Sequence, residues 1–210
     1  MKKKSSTEVW VTIGLAVFFL IFLSPIIIAL FGSFREMGDT SNYLHLFHAP
    51  SLESYKTAFG KMSYFRSLKN SILITVISVI LLLTFCSMAG YAIARLRGKL
   101  GSFLQIFFLA GMIVSAQMSI IPMYKVVNQV GIGNTIAAPI ALYVTAALPF
   151  SIFLYTNFIK SGVPYSLEEA ARIDGASIPF TFVRIVIPLT KPALSSLVIT
   201  QGVPIWNDFF

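Results

Sequence analysis

Five stretches of this chain carry no charged residue: 9–34, 70–94, 100–124, 136–159 and 192–207. The first four run 24 to 26 residues each, and a membrane-spanning helix needs about 20. The fifth has only 16 residues. It reaches spanning length by borrowing from Thr190, with the Lys191 side chain stretched toward the interface. Charged residues make up 11% of the chain, against about a quarter in an ordinary soluble domain. The expected fold class is therefore all-α integral membrane, with five predicted transmembrane helices.

The first stretch follows Lys2, Lys3 and Lys4, as the apolar core of a signal peptide would. Such a core is only about 7–15 residues long, and no small-x-small cleavage site follows this one. A retained spanning helix fits better, leaving residues 1–8 as a short polar tail. Pro149 lies inside the fourth stretch and is expected to kink it. Gly131, Gly133 and Asn134 mark 128–135 as a turn. Segment 35–69 is the longest polar one and reads as a loop with short interfacial helices. His45 and His48 within it have no cysteine or acidic partner at ligand spacing, so no metal site is expected. Cys86 is the single cysteine and permits no internal disulfide.

Orientation follows from the Lys and Arg distribution. Arg95, Arg97 and Lys99 crowd five residues between the second and third stretches, whereas Lys125 stands alone at the next turn. This bias puts the N-terminus, 95–99 and 160–191 in the cytosol. The net charge of +8 does not point to nucleic acid, because the basic residues sit between apolar runs without a zinc, RRM or basic-helix pattern.

Segment 164–175 is unlike the rest. It holds Glu168, Glu169 and Asp174 in a chain with eight acids in all. Ser166 and Glu169 have capping-box spacing, and Gly175 stands where a helix C-terminus expects glycine. Leu167, Ala170, Ala171 and Asp174 share one small-sided helical face that a second backbone can approach. Ser177 is a candidate cap for the next short apolar element, 178–187, whose exit Pro188 and Pro192 bracket. An interfacial helix lying on lipid would favour Lys, Arg and bulky apolar residues. This one instead suits docking to a cytosolic partner.

No catalytic constellation is visible. The G-x-x-x-x-G-K-[ST] loop that cradles phosphates is missing, as are H-E-x-x-H and G-x-S-x-G. No acid lies at the centre of a predicted span, which weakens a proton- or sodium-driven carrier. The candidates for a translocation pathway are neutral: Gln117, Tyr143, Asn157 and Gln201. Such residues more often hydrogen-bond a neighbouring helix, but a neutral lining suits an uncharged hydroxylated solute.

Glu169-Ala170-Ala171, three residues, Gly175, nine residues, then Ile185-Val186-Ile187-Pro188 resembles the EAA signature of ABC importer permeases, with Ile187 in place of leucine. Ala89-Gly90-Tyr91-Ala92-Ile93-Ala94-Arg95, Ile121-Pro122-Met123-Tyr124, Leu148-Pro149-Phe150 and Trp206-Asn207-Asp208-Phe209-Phe210 are similar to the carbohydrate-uptake branch, closest to the MalG-like half of a permease pair. The resemblance implies an ABC importer permease fold over 9–210, with 164–188 as its cytosolic EAA loop. It also implies a role for Glu168, Glu169, Ala170, Ala171, Asp174 and Gly175 in coupling to an ATPase. The implied partners are a second homologous permease, a cytosolic ABC ATPase dimer, an extracellular solute-binding protein and membrane lipid. ATP and magnesium would be bound by the ATPase, with no cofactor in this chain. The location would be a bacterial or archaeal cell membrane, with multiple passes. Six spans are implied where five are counted, so the sixth is expected beyond Phe210. Import of a different small solute, and a non-transporting membrane remnant, are the alternative readings.

Overall fold

The computed structural model describes residues 6–34, 51–114 and 116–208. The side chains of 6–9, 116 and 117 are outside that description. Lys2 to Lys4, His45, His48 and the pathway candidate Gln117 as a side chain therefore lie outside the described residues. Two compact units divide at Ser67 and Leu68.

In the first unit, α1 (Ser6–Ser33) is the predicted first span as one continuous helix. Its described side chains are almost all open, as an apolar surface meeting lipid would be. Pro25 is accommodated within it. α2 (Glu53–Lys61) follows. Tyr55 ties it back to α1: its hydroxyl lies 2.6 Å from Ser33 Oγ, and its ring centroid is 5.5 Å from that of Phe34.

α3 (Tyr64–Arg95) is 32 residues long. It starts six residues before the charge-free stretch, so Phe65 to Lys69 form its first turns, not an interfacial loop. Its buried positions include Ser78, Leu82, Cys86 and Gly90, a stripe at every fourth residue on one face. Three of those four are small, which lets a neighbouring backbone come close. The facing helix is α6 (Ala137–Gly162), which runs through Pro149. Thr156 Oγ1 donates to the carbonyl of Gly90 at 3.4 Å, on the side where the two backbones meet.

The predicted third span is not one helix. It is divided into α4 (Lys99–Gly111) and α5 (Ala116–Gln129). At the end of α4, a Cβ on Gly111 would lie 3.3 Å from Pro149 Cγ, so the break lies against the proline of α6. Gln105 of α4 donates to Asn157 Oδ1 on α6 at 2.8 Å. After α5 the predicted turn forms: Gly131 has φ +80, and Ile132 N–H and Gly131 N–H reach the carbonyls of Val127 and Asn128, a Schellman stop.

Beyond α6 come α7 (Tyr165–Ile173), α8 (Ile178–Thr181), a π-helical turn over Phe182–Val186, α9 (Ile187–Leu189) and α10 (Lys191–Asn207). Ser177 caps α8 as its sequence position suggests, accepting from Phe180 N–H. The segments before and after Thr190 meet at 71°, so the last span is entered through a bend. Thr190 is fully buried there, its hydroxyl 2.8 Å from the Tyr155 hydroxyl of α6. The core of this unit forms where α3, α6 and the 182–197 segment converge, around Cys86, Tyr155, Ile159, Val186 and Leu197. Among the described residues, three helices are long and apolar enough to cross a membrane, and the bent pair passes the same test only when counted together as one span.

Candidate functional site

The acidic segment folds into α7, and its start differs from the expected one. Pro164 is the N-cap, with φ −60 and ψ 131, and no side chain caps the helix. The capping box of Ser166 and Glu169 does not form. Proline's fixed φ and extended ψ set the helix off two residues earlier, so Ser166 is already inside the first turn. The end is as expected. Gly175 takes φ +83. Ala176 N–H donates to Ala171 O at 2.9 Å and Gly175 N–H to Arg172 O at 3.0 Å, the two bonds of a Schellman motif.

The shared face of Leu167, Ala170, Ala171 and Asp174 is also divided. Ala171 is turned inward together with Glu168, while Leu167, Glu169, Ala170, Asp174 and Gly175 are exposed. Ile173, at the helix end, is 82% exposed. The open side of α7 is thus acid at Glu169 and Asp174, small at Ala170 and Gly175, and apolar at Leu167 and Ile173.

Glu168 is neither a cap nor a surface residue. It is 0% exposed. Arg95 Nε donates to its Oε1 at 2.8 Å, and Tyr91 Oη donates to its Oε2 at 2.9 Å. Arg95 Nη2 also donates to the carbonyl of Val163, at 2.9 Å. Both carboxylate oxygens are therefore satisfied by groups from one turn of α3. A buried charge without a partner is expensive, and a paired one keeps its place only when its hydrogen bonds are made. Outside this network, the Tyr165 ring has the guanidinium carbons of Arg97, Arg95 and Arg172 at 5.3, 5.8 and 5.8 Å.

Sequence reasoning missed Arg95 and Tyr91 as partners of α7. One signal was present: Tyr165, Glu168 and Ala171 recur every three residues, so any face that buries Ala171 takes Glu168 with it.

Two of the pathway candidates lie far apart. Tyr143 and Asn157 are 14 positions apart on α6, roughly 21 Å along a helix axis. Tyr143 lies beside Asp208, just past the end of α10. Asn157 accepts from Gln105 and donates to Phe153 O, and Lys160 donates to Gln105 Oε1. Asn157 thus fastens α4 to α6. Gln201 is half-buried on α10, next to Gly202, where a Cβ would lie 3.5 Å from Val79 of α3.

Residues 86–210 match the family described as binding-protein-dependent transport system inner membrane component, and the chain belongs to that family. A putative ABC transporter permease, ORF2, of Caldicellulosiruptor is 36% identical over 97% of this chain and 74% of its own length. The multiple sugar-binding transport system permease MsmG of Streptococcus mutans is 35% identical, over 100% of this chain and 76% of its own. The melibiose/raffinose/stachyose import permease MelC of Bacillus subtilis is 36% identical, over 88% and 67%. The fold agrees with a crystal structure of a bacterial ABC transporter involved in import of the acidic polysaccharide alginate, at TM-score 0.83 and 24% identity, covering all of this chain and 75% of that one. The chain is accordingly a permease component of an ABC transporter, a membrane transport protein.

Proposed function

We propose that this chain is the permease subunit of an ATP-driven importer of sugars or oligosaccharides, in which α7 is the helix that couples it to the ATPase. The observation that carries this reading is the two-sidedness of α7. Its inner side is fixed to the transmembrane core through Glu168, and its outer side offers Glu169, Ala170, Asp174 and Gly175. A helix held on one side and open on the other transmits a displacement when a partner closes on the open side. The partner would be one subunit of a cytosolic ATPase dimer that binds Mg-ATP, and a second, homologous permease would complete the path. An extracellular binding protein would deliver the solute. The Lys and Arg bias supports a cytosolic position for α7 and the N-terminus. The carbohydrate class is supported by the named solutes of the relatives MsmG and MelC.

Glu169→Lys tests the docking side. It reverses a charge on an exposed position, where substitutions cost the fold little. The expected result is normal membrane insertion with loss of ATPase co-purification and of oligosaccharide uptake. Co-purification and uptake at the wild-type level would sink the assignment. Competition of uptake by unlabelled di- and trisaccharides checks the solute class, and competition only by charged solutes would move it elsewhere.

A further inference from the structure

Arg95 and Tyr91 stand one helical turn apart on α3, and together they touch three successive pieces of the chain. Arg95 holds the carbonyl of Val163, where α6 ends. Arg95 and Tyr91 both hold the carboxylate of Glu168 on α7. The Tyr91 ring lies 5.0 Å from that of Phe182, the first residue of the π turn. Val163 is nearly fully buried, and the Arg95 side chain is 15% exposed.

An ion pair in such a place adds little net stability over well-packed apolar side chains of the same volume. What it adds is direction. A guanidinium fork and a phenol hydroxyl fix both oxygens of one carboxylate, which sets the rotation of α7 about its axis as well as its distance from α3. Apolar contact alone leaves that rotation loose.

We propose that Arg95 and Tyr91 are positioning residues for α7, clamping it through Glu168 so that α3 and α7 move as one body during the transport cycle. This rests on α7 being the coupling helix. Under it, a push on α7 is delivered to α3 directly, in addition to the covalent route through the bend at Thr190.

The test is a distance measurement within the full chain, assembled with its transporter partners. Spin labels on cysteines at Ser166, exposed in the first turn of α7 and away from its docking side, and at exposed Met88 report the α7–α3 distance. The chain without added cysteines checks that buried Cys86 stays unlabelled. The wild type should give one narrow distance that is the same in the nucleotide-free state and with Mg-ATP and vanadate. Glu168→Gln and Arg95→Lys should each lose the single narrow distance. Each should also lower uptake roughly tenfold, the scale of one hydrogen bond to a charged group, while the amount of captured ATPase stays unchanged. Tyr91→Phe, which removes one hydroxyl, should fall between them and the wild type, and it decides the matter if the charge variants do not fold. A wild-type distance that shifts with nucleotide would overturn the clamp, as would a narrow distance retained in Glu168→Gln or Tyr91→Phe. If no ATPase is captured by the wild type, the coupling reading fails. The width comparison in the nucleotide-free protein still decides the clamp.

Discussion

Leucine at Gly90 should deplete the folded protein from the membrane, because the packing of α3 against α6 leaves it no room. A Cβ at Gly90 would lie 2.9 Å from Tyr155 Cδ1 and 3.3 Å from the backbone nitrogen of Thr156. Neither neighbour can give way cheaply. Tyr155 is fully buried, and its hydroxyl is fastened to Thr190. The Thr156 nitrogen is part of the α6 backbone. Even alanine forces α3 and α6 apart, and leucine adds three carbons where there is no room. Overpacking of this kind costs about 1–3 kcal/mol or more, and parting the helices also breaks the bond from Thr156 to the Gly90 carbonyl. The expected order of melting temperature in detergent is wild type, then Gly90→Ala, then Gly90→Leu, with Gly90→Leu largely aggregated on size exclusion. Gly60→Ala is the control, since nothing lies within 4 Å of a Cβ there. A Gly90→Leu protein that melts with the wild type would show that α3 and α6 do not meet at this point.

Valine at Gly175 should act in the opposite way, leaving the fold and removing the function. Nothing lies within 4 Å of a Cβ at Gly175, so the difficulty is conformational and not one of space. The residue sits at φ +83, a left-handed conformation that costs L-residues roughly 1–2 kcal/mol and β-branched ones more. The chain escapes that cost by abandoning the Schellman stop, which redirects the path from α7 into α8. Because the segment is exposed, the melting temperature should hardly move, while uptake falls to background. Gly175→Asn should retain much of the activity, since asparagine tolerates this conformation. Equal loss with asparagine and valine would mean that the missing side chain matters for close contact with a partner, not for the turn.

Much of the architecture was legible because the bilayer imposes simple demands. A charge-free run of 24 to 26 residues is a strong signal, and α1, α3 and α6 form on three of those runs. Gly131, Gly175 and Ser177 did what their residue types dictate, since a left-handed φ and an N-cap are local requirements. Local rules also explain the failures. Ser166 had the spacing of a cap, but Pro164 started the helix first. The break after Gly111 had no proline or charge to announce it, and it lies against Pro149 on another helix. The inward turn of Glu168 was hidden for the same reason. An acid beside Glu169 on a short helix looks like a surface residue until Arg95 and Tyr91, more than 70 positions earlier, are brought to it. The site's outer side could be read from the motif, and its inner side required the fold.

The π turn at Phe182–Val186 gives the fixed interval between Gly175 and Pro188 a geometric meaning. That interval contains the left-handed stop, the Ser177 cap, the wide turn and the approach to the 71° bend. One residue more or fewer within it would turn everything downstream by about 100°. Thr190 would then swing away from Tyr155, and Ala193 and Leu197 would leave the core. The interval therefore works as a phase setting. Single-residue insertions and deletions between Gly175 and Pro188 should be tolerated far less well than conservative substitutions at the same positions.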